Sequence, residues 1–133
     1  MSEETVEVKV YYADTDAGGV VYYGTYLRFL EVGRTEFLQS GGLSVTELLE
    51  EGYVFVVTEV NIKYKSPAGL GDILEISTRL REIGHARVTF EHEIRKKADN
   101  RLTARATVRL GCCSTRKLKP VKLPSSFHSA FNL

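Results

Sequence analysis

Asp16 stands in a turn of small residues, Ala17-Gly18-Gly19, between a strand-like segment that ends at Tyr12 and a helix that follows Tyr23. The opening turn of a helix carries N–H groups without intrahelical partners and a partial positive charge. A carboxylate beside such amides suits hydrolysis of an activated acyl group. The amides hold the developing oxyanion, and the acid either attacks the carbonyl carbon or deprotonates water. By residue type alone Asp16 also suits a helix cap or an Asx turn. Gly18 and Gly19 let the chain turn tightly and let a substrate approach the backbone.

The other polar candidates have plainer roles. Asp14, two residues before Asp16, reads as a turn-forming aspartate with a backbone hydrogen bond. A DxD pair can hold a divalent cation, but no third carboxylate follows at ligand spacing, so no metal is expected. Glu31 and Glu36 lie on the helix. Arg28 and Arg34 have the spacing to pair with these acids on the surface. His85 stands in a turn, His92 on an apolar strand face and His128 in the tail, each a structural histidine. Ser66 lacks a GxSxG setting and precedes Pro67, which reads as a turn rather than a nucleophile.

The elements that position these residues follow from hydrophobic period. Val6 to Tyr12 alternate as a first strand. Tyr26, Leu30, Gly33 and Phe37 fall at helical spacing, widened by Leu27, Phe29 and Leu38, so the helix is largely surrounded. Gly33 inside a helix costs about 1 kcal/mol relative to Ala, which implies close approach to another backbone. Gly41-Gly42 ends this helix, and Ser44-Val45-Thr46-Glu47 starts a short second one. Four strands follow, from Val54 to Tyr64, Leu74 to Arg81, Arg87 to Arg95 and Leu102 to Leu110. The first of the four is apolar on both faces at its start and is expected to be buried there. The last three each have one apolar and one polar face. Short turns make consecutive strands antiparallel. The expected architecture is α+β, one sheet curled around one long helix. From Lys119-Pro120 the tail loses its period, with Phe127 and Phe131 left to dock.

Composition excludes several classes. The chain has 133 residues and a net charge of +1, without a long basic tract, so no nucleic-acid partner is expected. No apolar run reaches membrane-spanning length, and the polar Met1-Ser2-Glu3-Glu4 start is no signal peptide. Cys112 and Cys113 are adjacent and support neither a disulfide scaffold nor a zinc site. Reduced thiols point to the cytoplasm, and no cofactor is implied.

Asp14-Thr15-Asp16-Ala17-Gly18-Gly19-Val20-Val21-Tyr22, followed by Tyr26-Leu27-Arg28-Phe29-Leu30-Glu31, resembles the signature of the 4-hydroxybenzoyl-CoA thioesterase family of hotdog-fold proteins. Tyr64-Lys65-Ser66-Pro67-Ala68 and Leu118-Lys119-Pro120 are similar to its bacterial acyl-CoA thioesterase branch, the one associated with the Tol-Pal system. The resemblance covers nearly the whole chain and implies one hotdog thioesterase domain over residues 1–133, with a five-stranded antiparallel sheet wrapped around a long central helix. It implies an acyl-CoA substrate, or an acyl carrier protein as donor, and dimers or tetramers with active sites at the dimer interface. Asp16 takes the place of the family's catalytic aspartate, and the Tyr23 N–H that of its oxyanion amide. The branch usually carries His at the Tyr23 position, whereas the aromatic-acyl enzyme carries Tyr. Gly18, Gly19, Val20, Tyr22, Ser66 and Pro67 are the expected substrate-binding residues. Lys65, Arg87, Arg116 and Lys117 are candidates for the CoA phosphates. A hotdog hydratase or dehydratase, or a non-catalytic acyl-thioester binding module, are the alternatives on the same fold.

Overall fold

A computed structural model of the chain describes residues 3–131. In chain order the elements are β1 (Glu3–Lys9), α1 (Thr25–Ser40), α2 (Val45–Glu50), β2 (Tyr53–Tyr64), β3 (Ile73–Ile83), β4 (Arg87–Lys96), β5 (Leu102–Ser114) and α3 (Ser125–Ala130), with a 3-10 turn at Tyr12–Asp14. The strands form one sheet in the order β1-β3-β4-β5-β2, and every pair is antiparallel. This is the α+β hotdog arrangement, with α1 on the inner face.

The core follows from the two periods. Tyr26, Phe29, Leu30, Gly33, Phe37 and Leu38 form the buried face of α1. Opposite them stand Leu74, Ile76 and Leu80 of β3, Val88, Phe90 and Ile94 of β4, and Ala104, Ala106, Val108 and Leu110 of β5, all buried. The outer face carries charge pairs such as Arg79–Glu91 and Arg105–Glu93. Gly33 lets α1 touch the sheet: a Cβ there would lie 2.5 Å from Thr78 Oγ1 and 2.9 Å from Ile76 Cγ2. Gly42, at φ +83°, turns the chain after α1. The Ser44 hydroxyl then accepts the Glu47 N–H to cap α2.

Four features differ from the sequence expectations. The first strand stops at Lys9 rather than Tyr12, because the Asp14 carboxylate accepts the Tyr11 N–H at 2.9 Å and closes a turn there. β2 and β3, consecutive in the chain, are not neighbours in the sheet; β2 lies at an edge beside β5. Its start is therefore only half-buried, and Val56, Val57 and Val60 are exposed. The last strand runs four residues past Leu110, to Ser114. The tail forms α3, whose Phe127 is fully buried, while Phe131 stacks on Phe37 at 4.9 Å. Two aromatic anchors four residues apart are too short a pattern to reveal a six-residue helix.

Both cysteines are free and buried, and burial pushes the Cys112 thiol up to about 11, so it stays protonated. Among the described residues no helix is long and apolar enough to cross a membrane.

His92 sits under α1 with its Nδ1 3.0 Å from the Thr78 hydroxyl; among the described residues its Nε2 has no partner. Burial, and after it the charge of Arg34, hold this imidazole down at about 3 against an ordinary 6.5. Below its ordinary value the unfolded chain takes up a proton that the folded chain refuses. Stability is therefore full above pH 6.5 and falls as the pH drops toward 3. At about 1.4 kcal/mol per pH unit, roughly 3 kcal/mol is lost by about pH 4.5. Urea midpoints measured at neutral and mildly acid pH should fall less steeply in His92→Gln than in the wild type. Equal slopes would remove His92 as the source of acid sensitivity.

Candidate active site

Residues 14–22 form a small hairpin. The Tyr22 N–H donates to the Asp14 carbonyl at 2.9 Å, and the Asp16 N–H to the Val20 carbonyl at 2.9 Å. The tip closes through the Gly19 N–H, which donates to the Asp16 carbonyl at 3.0 Å. Gly19 has φ +81°, a left-handed conformation that favours glycine. The Asp16 Oδ1 accepts the Gly18 N–H at 2.8 Å. This is the Asx turn that aspartate favours, and it leaves Oδ2 without a hydrogen bond among the described residues. Asp16, Gly18, Gly19 and Val20 are exposed.

The hairpin delivers the chain to the start of α1. The Tyr22 carbonyl accepts the Thr25 N–H at 2.9 Å. In a trans peptide the N–H lies opposite the C=O. Pinning the Tyr22 carbonyl into the turn therefore directs the Tyr23 N–H outward. The Tyr64 hydroxyl donates to the Tyr23 carbonyl at 3.0 Å and fixes the next peptide in the same way. Among the described residues, no hydrogen bond uses the Tyr23 or Gly24 N–H. Two amides of the opening turn thus remain available, at the positive end of a 16-residue helix.

Two grooves flank this turn. One, of about 330 Å³, is lined by Val21, Tyr23, Tyr26, Tyr64, Lys65, Ser66 and Pro67. The other is wider and holds Tyr11, Ala13, Asp14, Tyr22, Gly24, Thr25 and Arg28. The structure therefore brings Tyr23, Ser66 and Pro67 together and sets Tyr22 on the other side, its ring 4.6 Å from that of Tyr23. Asp16, Gly18, Gly19 and Val20 line neither groove; they stand on the hairpin tip beside them. The Ser66 hydroxyl is spent on the Leu102 carbonyl at 2.7 Å, in keeping with a turn residue.

The phenols do not supply a base. The neighbouring Tyr23 pushes the Tyr22 phenol above its ordinary value, and burial does the same to Tyr26 and Tyr64. His92 lies inside the sheet and stays neutral at working pH. Of the four basic candidates, Lys65 alone borders a groove beside the turn. Arg87 begins β4, and Arg116 and Lys117 follow β5, at the far end of the sheet. At about 3.3 Å per residue, the length of β4 puts them roughly 30 Å away within one protomer.

Sequence reasoning missed one arrangement. Asp14 is buried, and its Oδ1 accepts a hydrogen bond from Arg28 Nη2 at 2.6 Å. Arg28 thus pairs across to the hairpin rather than with the acids of its own helix. The charge pattern of α1 contained no signal for this, because Asp14 lies fourteen residues away. An apolar cavity of about 220 Å³ lies farther along α1, bounded by Arg34, Leu38, Leu48, Phe55, Phe90 and Phe127. Glu31 also borders this cavity, which lies apart from the hairpin that carries Asp16.

Comparison with known proteins bears on the family and the fold. Residues 10–131 match the family described as the thioesterase-like superfamily. The chain is 40% identical over 126 residues to the acyl-CoA thioesterase YbgC of Haemophilus influenzae, an overlap covering 94% of this chain and 91% of that protein. It is 33% identical over 132 residues to the chloroplastic acyl-acyl carrier protein thioesterase ATL3 of Arabidopsis thaliana, covering 98% and 69%. Among solved structures it superposes on Slr0204, a 1,4-dihydroxy-2-naphthoyl-CoA thioesterase from Synechocystis. The TM-score is 0.90 and the identity 26%, covering 98% of this chain and 96% of that one.

Proposed function

The chain belongs to the thioesterase-like superfamily and is an acyl-CoA thioester hydrolase, and from that premise we propose that Asp16 and the Tyr23 N–H carry out its chemistry. The observation that supports this reading is the Tyr23 amide at the opening of α1, unpaired among the described residues and directly following a hairpin whose carboxylate has one oxygen free.

Hydrolysis converts the thioester and water into a carboxylic acid and a thiol. The carbonyl oxygen gains negative charge as the tetrahedral centre forms. The Tyr23 N–H, reinforced by the helix dipole, stabilises that charge. Asp16 acts through its free Oδ2, either attacking the carbonyl carbon to give an anhydride or taking a proton from the attacking water. The thiolate leaves as the carbonyl re-forms; where Asp16 is the nucleophile, water then opens the anhydride and frees its carboxylate. Tyr23 contributes its backbone N–H. The groove of Tyr23, Ser66 and Pro67 receives the acyl-thioester arm, with Lys65 at its rim for an anionic group. The hairpin glycines Gly18 and Gly19, with Val20 and Tyr22, border the approach.

A second copy of the chain belongs to this reading. β2 is a long edge strand with exposed Val56, Val57 and Val60, and exposed edges of this kind favour pairing. Tyr64, at its end, touches the Tyr23 turn, so a partner on this edge closes over the site. A two-fold dimer, alone or doubled into a tetramer, supplies that cover. Asp16 is exposed in one protomer; pairing would place it in the cleft between two.

A thiol-release assay over a panel of acyl-CoA and acyl carrier protein thioesters, repeated through a protein dilution series, tests both parts. Turnover should appear, and specific activity should fall as dimers dissociate. Absence of turnover on every thioester would sink the assignment, and dilution-independent activity of a sedimenting monomer would sink the shared site.

A further inference from the structure

Resting on the assignment of Asp16 and Tyr23 above, we propose that the ion pair between the buried Asp14 and the exposed Arg28 is a positioning device, setting the Asp16 hairpin against the first turn of α1. Both Asp14 oxygens are committed: Oδ2 accepts the Tyr11 N–H at 2.9 Å, and Oδ1 accepts Arg28 at 2.6 Å. The Asp14 carbonyl accepts the Tyr22 N–H at 2.9 Å, so the same residue also holds the far strand of the hairpin. Asp16 has no such tie. Among the described residues its hydrogen bonds are all local, to Gly18, Gly19 and Val20.

Among the described residues, Asp14–Arg28 is the one side-chain hydrogen bond joining residues 10–22 to α1. Arg28 is the fourth residue of that helix, one turn beyond the free amides. The pair therefore controls the distance between the two groups that must flank one carbonyl. It acts through them, and neither member is a catalytic residue.

The environments of the two partners separate this role from simple stabilisation. Arg28 is 56% exposed, so breaking the pair costs modest stability. Asp14 is 7% exposed in its side chain, and without its cation it moves toward water. That movement draws Tyr11 and Tyr22 with it and shifts the hairpin. A displacement of about 1 Å at reacting groups costs up to about 10²-fold in rate.

The experiment measures kcat, KM and thermal unfolding for Arg28→Gln, Arg28→Lys, Asp14→Asn and the Asp14→Asn/Arg28→Gln double variant, with Asp16→Asn as the site control. In Arg28→Gln, kcat should fall about 10- to 100-fold while KM stays within about threefold. Arg28→Lys, which keeps the charge, should regain most of the loss. The double variant should be no slower than the worse single one, because both changes break one contact. Should Asp14→Asn fail to fold, the two Arg28 variants carry the test. Normal kcat in a folded Arg28→Gln beside an inactive Asp16→Asn overturns the positioning role alone. A change confined to KM, no rescue by Lys, or multiplicative losses also overturn it. Full turnover in Asp16→Asn overturns the site assignment and this role with it.

Discussion

Replacing Asp16 by Asn should lower kcat by about 10²- to 10⁴-fold, the range contributed by a positioned acid–base group. The substitution is close to isosteric. The Asn side-chain oxygen can still accept the Gly18 N–H that Asp16 Oδ1 now accepts at 2.8 Å, so the turn persists. Exposure of the residue makes the stability change small. What disappears is the free carboxylate oxygen, as base and as nucleophile. KM should change little, since the hairpin tip lines neither groove beside Tyr23. Thiol release under saturating acyl-CoA, with circular dichroism as a check on folding, reads the effect. Wild-type turnover in Asp16→Asn would move the chemistry elsewhere, with Glu31 of α1 the next carboxylate to test. Label found in Asp16 after a single turnover in ¹⁸O-water identifies the anhydride route. Direct attack by water labels the product in the first turnover, whereas an anhydride opened at the aspartyl carbon labels Asp16 first.

Much of this molecule was legible in its sequence because the relevant signals are local. Alternation in β3, β4 and β5, the helical stripe from Tyr26 to Phe37, the Gly41-Gly42 stop and the Ser44 cap each depend on residues within one element. The Asx turn at Asp16 is equally local, and its flanking glycines announce it. Gly33 was readable by a different route, since a costly residue within a helix implies a compensating contact, and that contact is with Thr78 and Ile76. Failures arose where a non-local partner decides the outcome. β2 has the apolar content of a central strand, yet its place at an edge is set by pairing with β5, some fifty residues on. The apolar start of β2 predicts burial that one protomer does not provide. Arg28 has acids near it on its own helix, but a buried carboxylate from the hairpin outcompetes exposed ones, because Asp14 gains more from neutralisation. The basic residues Arg87, Arg116 and Lys117 are indistinguishable from Lys65 by type; only the sheet places them at the opposite end.

Gly33→Ala should destabilise the fold by about 3 kcal/mol, at the upper end of the cost of overpacking a core. An added methyl would lie 2.5 Å from Thr78 Oγ1, 2.9 Å from Ile76 Cγ2 and 3.5 Å from His92 Nδ1. None of these atoms can swing aside. Thr78 and His92 are 1% exposed and hydrogen-bonded to each other at 3.0 Å across β3 and β4, and Ile76 is fully buried. Relief must come from lifting α1 off the sheet, which opens voids around Phe29, Leu30 and Phe37. Alanine's better helix propensity returns only about 1 kcal/mol, so the steric cost prevails. For a domain of this size the melting temperature should drop by roughly 10 °C. Activity should suffer as well, because α1 carries the Tyr23 turn at its start. Adding Thr78→Ala removes the closest contact and should restore part of the stability. The Ile76 contact and the unpaired His92 nitrogen limit that recovery. Thermal unfolding of the single and double variants provides the comparison. A Gly33→Ala protein as stable as the wild type would mean that the helix rides farther from β3 than these distances place it.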